Sequence, residues 1–515
     1  MQGVTTYNAA ADLIERNLAA GRGAKTAFID DHGRCSYAEL AERVNRFANG
    51  LCRLGIHREQ RIVLCLHDTI DFPTAFLASI KAGVVPVAVN TQLSAGEFAF
   101  MLADSRARAV VVSAPVMPAI NAAVAQLPTP RPMVIVSGAE PEPGSLAALL
   151  ADSCPTFEPA PTHPDEPCFW LYSSGSTGRP KGTVHIHSSL VQTAELYAVP
   201  VLGIAESDIT FSAAKLFFAY GLGSGLTFPM AVGATSVLTA ERPSPSTVSR
   251  VLREHGPTIF YGVPTLYVAM LANNDLPVPE ELALRRCVSA GEPLPDEIGR
   301  RWSARIGVDI LDGIGSTELL HIFLSNRPDD VRYGTTGKPV PGYALKIVDE
   351  EGRPVRRGEV GDLLVSGPTS AAGYWNNRER SRTTFSGAWT RTGDKYFEDE
   401  DGYFVYCGRS DDMLKVSGMY VSPAEVEAAL IAHESVLEAA VVGAPDADGL
   451  IKPKAFIVVK PGARADDDLA QALEDHTKAT LAPFKCPRWI AFLDELPKTT
   501  TGKIQRFKLR EESRV

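Results

Sequence analysis

At 515 residues the chain exceeds one ordinary core and should divide into at least two domains. Hydrophobic residues make up 45% and charged residues 22%, the balance of a soluble globular protein. The formal net charge of -10 argues against a global attraction to nucleic acid or anionic membranes, so any phosphate must be held by a local site. The eight cysteines form no C-x-x-C pair and lie mostly in apolar surroundings, the pattern of reduced thiols in a cytoplasmic protein. No basic stretch followed by an apolar block opens the chain, and the apolar run at 82–89 is short and broken by Pro86, so neither a signal peptide nor a membrane span is expected.

Short β-branched runs recur at 61–65 (RIVLC), 109–113 (AVVVS) and 133–136 (MVIV), with helix-like stretches at 37–54 and 95–103 between them. This alternation predicts α/β layers with parallel or mixed sheets. Residues 140–164 are rich in Pro, Ala and Ser and predict a loosely structured connection between two lobes. Further on, Ser422-Pro-Ala-Glu425 predicts a helix start, with Ser as N-cap, Pro in the first turn and Glu closing a capping box. Strand-like runs follow at 437–442 and 455–459. The polar, turn-forming segment 408–412 (GRSDD) separates the two patterns. It predicts a large N-terminal domain at 1–410 and a small α+β C-terminal domain at 411–515.

Four polar or glycine-rich loops each follow a strand-like run: SSGSTGRPKG at 173–182, GVP at 262–264, AGEP at 290–293 and GIGSTE at 313–318. Ligands of α/β sheets sit at the carboxyl ends of strands, so four such loops point to one composite site. In the first loop, glycines permit tight turns, backbone N–H groups and hydroxyls can cradle phosphate oxygens, and Lys181 adds charge. The Walker A spacing is absent, and so is the G-x-S-x-G elbow of a serine hydrolase. His185 and His187 would share one face of a strand, but further ligands are not nearby, which favours structural roles over a metal site.

These loops occur in order with WTRTGD at 389–394, GRSDD at 408–412 and PKTTTGK at 497–503. The ordered set, which spans essentially the whole chain, resembles the acyl-adenylating superfamily of acyl-CoA synthetases, peptide-synthetase adenylation domains and luciferases. The resemblance implies roles residue by residue. Ser173, Ser174, Thr177, Gly178 and Lys181 would lie over the β- and γ-phosphates of ATP. Gly291, Glu292 and Pro293 would line the adenine, with Asp312 and Gly313 beside it. Thr317 would meet the α-phosphate, Glu318 would hold Mg²⁺, and Asp394 would take the ribose hydroxyls with Arg409 nearby. Lys503 would serve adenylation, Asp411 would be a hinge, and Gly418 would lie beside the path of coenzyme A. Singly, each has a bland alternative, such as a turn former at Asp394 or a surface lysine at Lys503; it is their joint, ordered occurrence that carries the reading.

The stretch AKLFFAYGLG at 214–223, together with LLHIFLSN at 319–326, closely resembles the benzoate-CoA ligase family. That resemblance implies an acid pocket lined by Ala219, Tyr220, Gly315, His321 and Ile322, a flat slot suited to an aromatic ring. His321 would either donate to the carboxylate or abut the ring edge, and at least one of Phe217 and Phe218 would be ordinary core. Ser224 and Met419 stand where asparagine and glutamine are expected, leaving the exact acid and the CoA contacts open. Alternatives are a hydroxybenzoate, an aminobenzoate or a short-chain acid as substrate, a carrier protein as acceptor, and a nucleotide-binding protein without catalysis. The expected partners are small molecules, neither nucleic acid nor membrane. The sequence has no signature of oligomeric state, and a homodimer is one guess.

Overall fold

The runs at 61–65 and 109–113 fall on the inner strands of a seven-stranded sheet in the computed structural model, which describes residues 6–138, 140–173, 180–410, 412–416, 419–446, 450–498 and 504–513. Across this sheet the order is Gly373–Tyr374, Lys181–Ile186, Pro167–Ser173, Val85–Ala88, Arg61–Cys65, Ala109–Ser113 and Met133–Ser137. The five strands from Pro167–Ser173 to Met133–Ser137 run parallel. In the inner strands Arg61–Cys65 and Ala109–Ser113 the β-branched side chains are buried on both faces, as expected of a strand covered by helices on either side.

A second, nine-stranded sheet runs Lys338–Pro339, Ile322–Ser325, Ile310–Gly315, Arg286–Ser289, Ile259–Gly262, Ile209–Ser212, Thr235–Val237, Thr26–Asp30 and Gly33–Ser36. The six strands from Ile310–Gly315 to Thr26–Asp30 are parallel, which brings their carboxyl ends to one edge. A five-stranded antiparallel sheet, containing Trp389–Glu398 and Phe404–Arg409, completes the N-terminal part.

The helix at Tyr37–Arg53 starts at a full capping box: Ser36 Oγ accepts from Glu39 N–H, and the Glu39 carboxylate accepts from Ser36 N–H at 2.7 Å. Residues 140–164 are more ordered than their composition suggests. They contain the helix Leu146–Ala151, whose Leu146 and Leu150 are buried. The Tyr37–Arg53 helix fixes the rest, because Arg46 donates to the Ser153 carbonyl and Asn49 to the Cys154 and Thr156 carbonyls. Side-chain donors from a neighbouring element satisfy the backbone here, a long-range fact that composition does not encode.

The C-terminal unit comprises the helix Pro423–Ile431, a three-stranded sheet of Val436–Pro445, Ile451–Val459 and Trp489–Phe492, and the helices Asp467–Thr480 and Arg506–Glu512. Ser422 Oγ caps the first helix at Glu425 N–H, 3.2 Å away, but the expected capping box is not closed. The Glu425 carboxylate instead pairs with Lys485 at 2.6 Å. A half-buried Arg506 clasps the buried Glu427 at 2.8 Å, and Glu427 also accepts from Val441 N–H, tying two helices to the sheet. Among the described residues no helix is long and apolar enough to cross a membrane.

Candidate active site

Glu318 sits in the one-turn helix Thr317–Leu319, directly after the strand Ile310–Gly315. The backbone of that turn is gripped from outside: His185 Nε2 reaches the Thr317 carbonyl at 2.8 Å, Ala371 N–H the Glu318 carbonyl at 2.8 Å, and Thr369 Oγ1 the Leu319 carbonyl at 2.7 Å. Burial pulls His185 down to about 4, so its ring is neutral and Nε2 is the N–H that donates to Thr317. His187 is likewise lowered to about 4 by burial; it opens a helix instead of continuing the strand, and its Nδ1 accepts from Ala9 N–H. Among the described residues no group of three or more His, Cys, Asp or Glu is arranged to hold a metal ion.

The Glu318 carboxylate gathers the phosphate-loop candidates. Its Oε1 accepts from Tyr374 Oη at 2.8 Å and from Ser173 Oγ at 3.3 Å, and Lys181 Nζ stands 3.7 Å away. Lys181 also lies over the Tyr374 ring, 4.3 Å from its centroid. Burial lowers the Lys181 pKa; Glu318 opposes that shift, while Arg380 and Arg409 reinforce it. Lys181, with Arg380 and Arg409 near enough to act on its charge, makes a local cationic group that favours an incoming polyanion. Ser174, Thr177 and Gly178 lie outside the described residues, as do Asp411, Gly418 and Lys503.

Asp312 and Asp394 are buried nearby. Asp312 stands opposite Ser289 across two parallel strands, beside the loop of Gly291, Glu292 and Pro293, in which Gly291 has φ +95. Burial raises the Asp312 carboxyl well above its ordinary range, against the pull of the Ser289 hydroxyl and the Gly313 and Leu294 N–H groups, and its buried Oδ1 makes no close hydrogen bond. A buried acceptor with room for another hydrogen bond favours a ligand that supplies one. An acceptor placed there is compatible with a purine amino group. Asp394 pairs in register with Arg409, and Arg409 Nη1 is 3.1 Å from Asp394 Oδ1. The intervening Gly393 has φ +78, and a Cβ there would come within 2.7 Å of the Arg409 guanidinium.

The acid-pocket candidates form a separate group. Tyr220 lies in the helical turn Ala219–Leu222, which passes into a wide π-turn at Gly223–Thr227. Its hydroxyl faces two strand-end carbonyls, Gly262 and Val288, at 3.2 Å each. His321 Nε2 is 3.2 Å from the Tyr220 carbonyl, and burial lowers the imidazole to about 3, so Nε2–H donates and the ring is neutral. Rings of Tyr220, Tyr197 and Phe228 surround it, with the Phe228 centroid 4.4 Å away. Glycines hold the spacing: a Cβ at Gly223 would lie 2.2 Å from His321 Cδ2, and one at Gly315 2.5 Å from the His321 carbonyl. Ile322 and Phe217 are buried, Phe218 packs edge-on against Phe217, and Ala219 borders the core.

The geometry thus joins Ser173, Lys181 and Glu318, sets Arg409 against Asp394, and sets Tyr220 against His321. Tyr374, which touches both Glu318 and Lys181, escaped the sequence reading: it enters on a two-residue strand far from any loop motif. Arg380, three residues after its helix cap at Asn377, was missed for the same reason.

A group of charged and polar side chains at the carboxyl ends of parallel strands, followed by a small α+β unit, agrees with the family the chain belongs to: it matches the AMP-binding enzyme model over residues 15–375 and the AMP-binding enzyme C-terminal domain over 425–503. Its particular relatives are aryl-CoA ligases. It is 63% identical over 506 residues to a benzoate–CoA ligase of Thauera aromatica, covering 98% of this chain and 96% of that protein. A solved benzoate CoA ligase from Burkholderia xenovorans LB400 superimposes with a TM-score of 0.93 at 53% identity, covering 98% of this chain and 100% of the other. An anthranilate CoA ligase solved with anthranoyl-AMP gives a TM-score of 0.94 at 44% identity, with 99% and 98% coverage.

Proposed function

We propose that the enzyme joins benzoate, or a small ring-substituted benzoate, to coenzyme A with ATP as the energy source. In the first half-reaction a carboxylate oxygen of the acid attacks the α-phosphorus and pyrophosphate leaves, giving an acyl-adenylate. In the second, the CoA sulfur attacks the acyl carbon, AMP leaves, and the thiol proton is released. The observation that carries the reading of the acid is the Tyr220–His321 wall. It is aromatic and uncharged, and its hydroxyl and its ring N–H face backbone carbonyls, so it suits an aromatic ring and presents no cation to a second carboxylate.

On this reading Asp312 accepts from the adenine amino group beside Gly291, Glu292, Pro293 and Gly313. Asp394 holds the ribose hydroxyls, steadied by Arg409. Ser173, Ser174, Thr177, Gly178 and Lys181 embrace the β- and γ-phosphates, and Thr317 meets the α-phosphate. Glu318 has the hard oxygen donors that suit Mg²⁺, which would neutralise phosphate charge when bound. Lys503 is assigned to the reacting oxygens of the adenylation step. The 411–515 unit then turns about Asp411 relative to 1–410, withdrawing Lys503 and presenting Gly418 to the pantetheine arm of CoA.

The test is AMP and acyl-CoA formation from ATP, Mg²⁺ and CoA with benzoate, 4-hydroxybenzoate, 2-aminobenzoate, cyclohexanecarboxylate and hexanoate. CoA-dependent turnover led by benzoate or a small derivative is expected. Turnover led by hexanoate would overturn the aromatic pocket, and adenylate without thioester would overturn CoA as the acceptor.

A further inference from the structure

Asp68 belongs to none of the groups above. It lies in the loop after the strand Arg61–Cys65 of the seven-stranded sheet and is only 4% exposed. Both of its carboxylate oxygens face one backbone donor, Leu216 N–H, at 3.1 and 3.3 Å. Leu216 follows the strand Ile209–Ser212 of the other sheet and opens the segment that leads to Tyr220. The contact therefore crosses between the two sheets and holds the root of the acid-pocket segment.

The rest of that root is tightly built. Lys215 Nζ donates to the Thr239 and Glu241 carbonyls at 2.6 and 2.7 Å. Phe218 N–H returns to the Lys215 carbonyl, and Gly221 packs so close that a Cβ would lie 2.1 Å from that same carbonyl. A shift at Leu216 would thus bear on Gly221 and Tyr220 and, through the Tyr220 carbonyl, on His321. The neighbouring acids are engaged elsewhere: Asp30 accepts from His32, Gly33 and Ile70 N–H, and Asp71 pairs with Arg43.

We propose that Asp68 is a positioning residue for the acid pocket, its ionised carboxylate fixing the Lys215–Leu216 root and so the placement of Tyr220 and His321. The idea rests on the acid-pocket assignment made above. Burial pushes the Asp68 carboxyl up to about 6, against the pull of the Lys215 charge and the Leu216 N–H. Among the described residues Lys215 is the one charge that bears on it, and His67, next in the chain, is lowered by burial and by that same lysine. Protonation as pH falls through about 6 weakens both attractions and loosens the root. His321, lowered to about 3, and Tyr220, raised well above 10, do not titrate in that window, and a benzoic acid, with a pKa of about 4 as for ordinary carboxyls, stays ionised.

The experiment compares wild type, Asp68→Asn and Lys215→Met in the intact enzyme, measuring KM for benzoate and for ATP from pH 5.5 to 8, with a melting curve for each. For wild type the KM for benzoate should rise as pH falls through about 6. Asp68→Asn should raise it about tenfold at pH 7.5, the scale of one charge-assisted hydrogen bond. Its profile should then be flat across the window, with the KM for ATP at the wild-type value. Lys215→Met removes the cation that favours the charged form, so its midpoint should move to higher pH. The raised carboxyl is a cost to folding above pH 6 that is relieved as pH falls, so Asp68→Asn should not lower the Tm at pH 7.5. A wild-type KM and pH dependence in Asp68→Asn would overturn the proposal, as would an unmoved midpoint in Lys215→Met or a collapsed Tm accompanied by equal losses for acid and ATP. Absence of benzoate turnover in the wild type would instead overturn the functional reading, and this role with it.

Discussion

At the nucleotide end, Asp312 and Asp394 are 7% and 6% exposed, and one Asp312 oxygen makes no close hydrogen bond. At the acid end, Tyr220 and His321 turn their donors onto backbone carbonyls, and the imidazole keeps only a neutral lone pair at Nδ1. A buried carboxyl oxygen with room for another hydrogen bond favours a ligand that supplies one, while a neutral imidazole nitrogen selects more weakly. On the proposed assignment the nucleotide is read by hydrogen-bond complementarity and the acid by shape. Polar substitutions should act on the first end and volume substitutions on the second.

The strongest test is of Lys503, proposed to serve the adenylation step. Lys503→Ala should lower adenylate formation by on the order of 10²–10³-fold, the effect of losing one positioned electrostatic group, while largely sparing CoA attack on preformed benzoyl-adenylate. Single-turnover assays of each half-reaction separate the two, and equal losses would remove the assigned role. Next, Gly223→Ala drives a methyl into His321, and displacement of the ring should cost about 10²-fold in kcat/KM for benzoate. Equilibrium binding of ATP alone should hold, and a parallel loss there would erase the distinction between the ends. Asp394→Asn should raise the KM for ATP about tenfold with little change in the KM for benzoate, which a matched pair of saturation curves would check. The smallest effect is expected from pH: because His321 is held neutral down to about 3, His321→Asn should leave the shape of the kcat/KM profile between pH 6 and 9 unchanged. A limb that vanished in the variant would show that the imidazole does titrate there.

The strands at 61–65 and 109–113 were legible because runs of β-branched residues carry their own period and length. The helix from Tyr37 was legible because its cap lies within four consecutive residues. The loops at the strand ends were readable as motifs, yet their partners were not. Tyr374 reaches Glu318 from a strand 56 residues away, and Tyr220 finds its carbonyls at Gly262 and Val288. The same distance hid Lys485, which takes Glu425 out of its expected box, and Asp68, whose donor Leu216 N–H lies 148 residues on. Local periodicity and turn chemistry survive in one dimension; side chains that close on distant backbone do not.

The eight thiols are distributed usefully. Five are buried, Cys52 and Cys154 are exposed on the N-terminal part, and Cys486 is half-exposed on the C-terminal unit. Hydrogen bonds from Thr156 draw the Cys154 thiol below its ordinary range, which speeds its alkylation relative to Cys52. With Cys52 replaced by serine, the native chain carries one reactive label site on each side of the 408–412 boundary. A donor and acceptor fluorophore at Cys154 and Cys486 would then report, in real time and without an engineered cysteine, whether the two parts change their separation when ATP gives way to CoA.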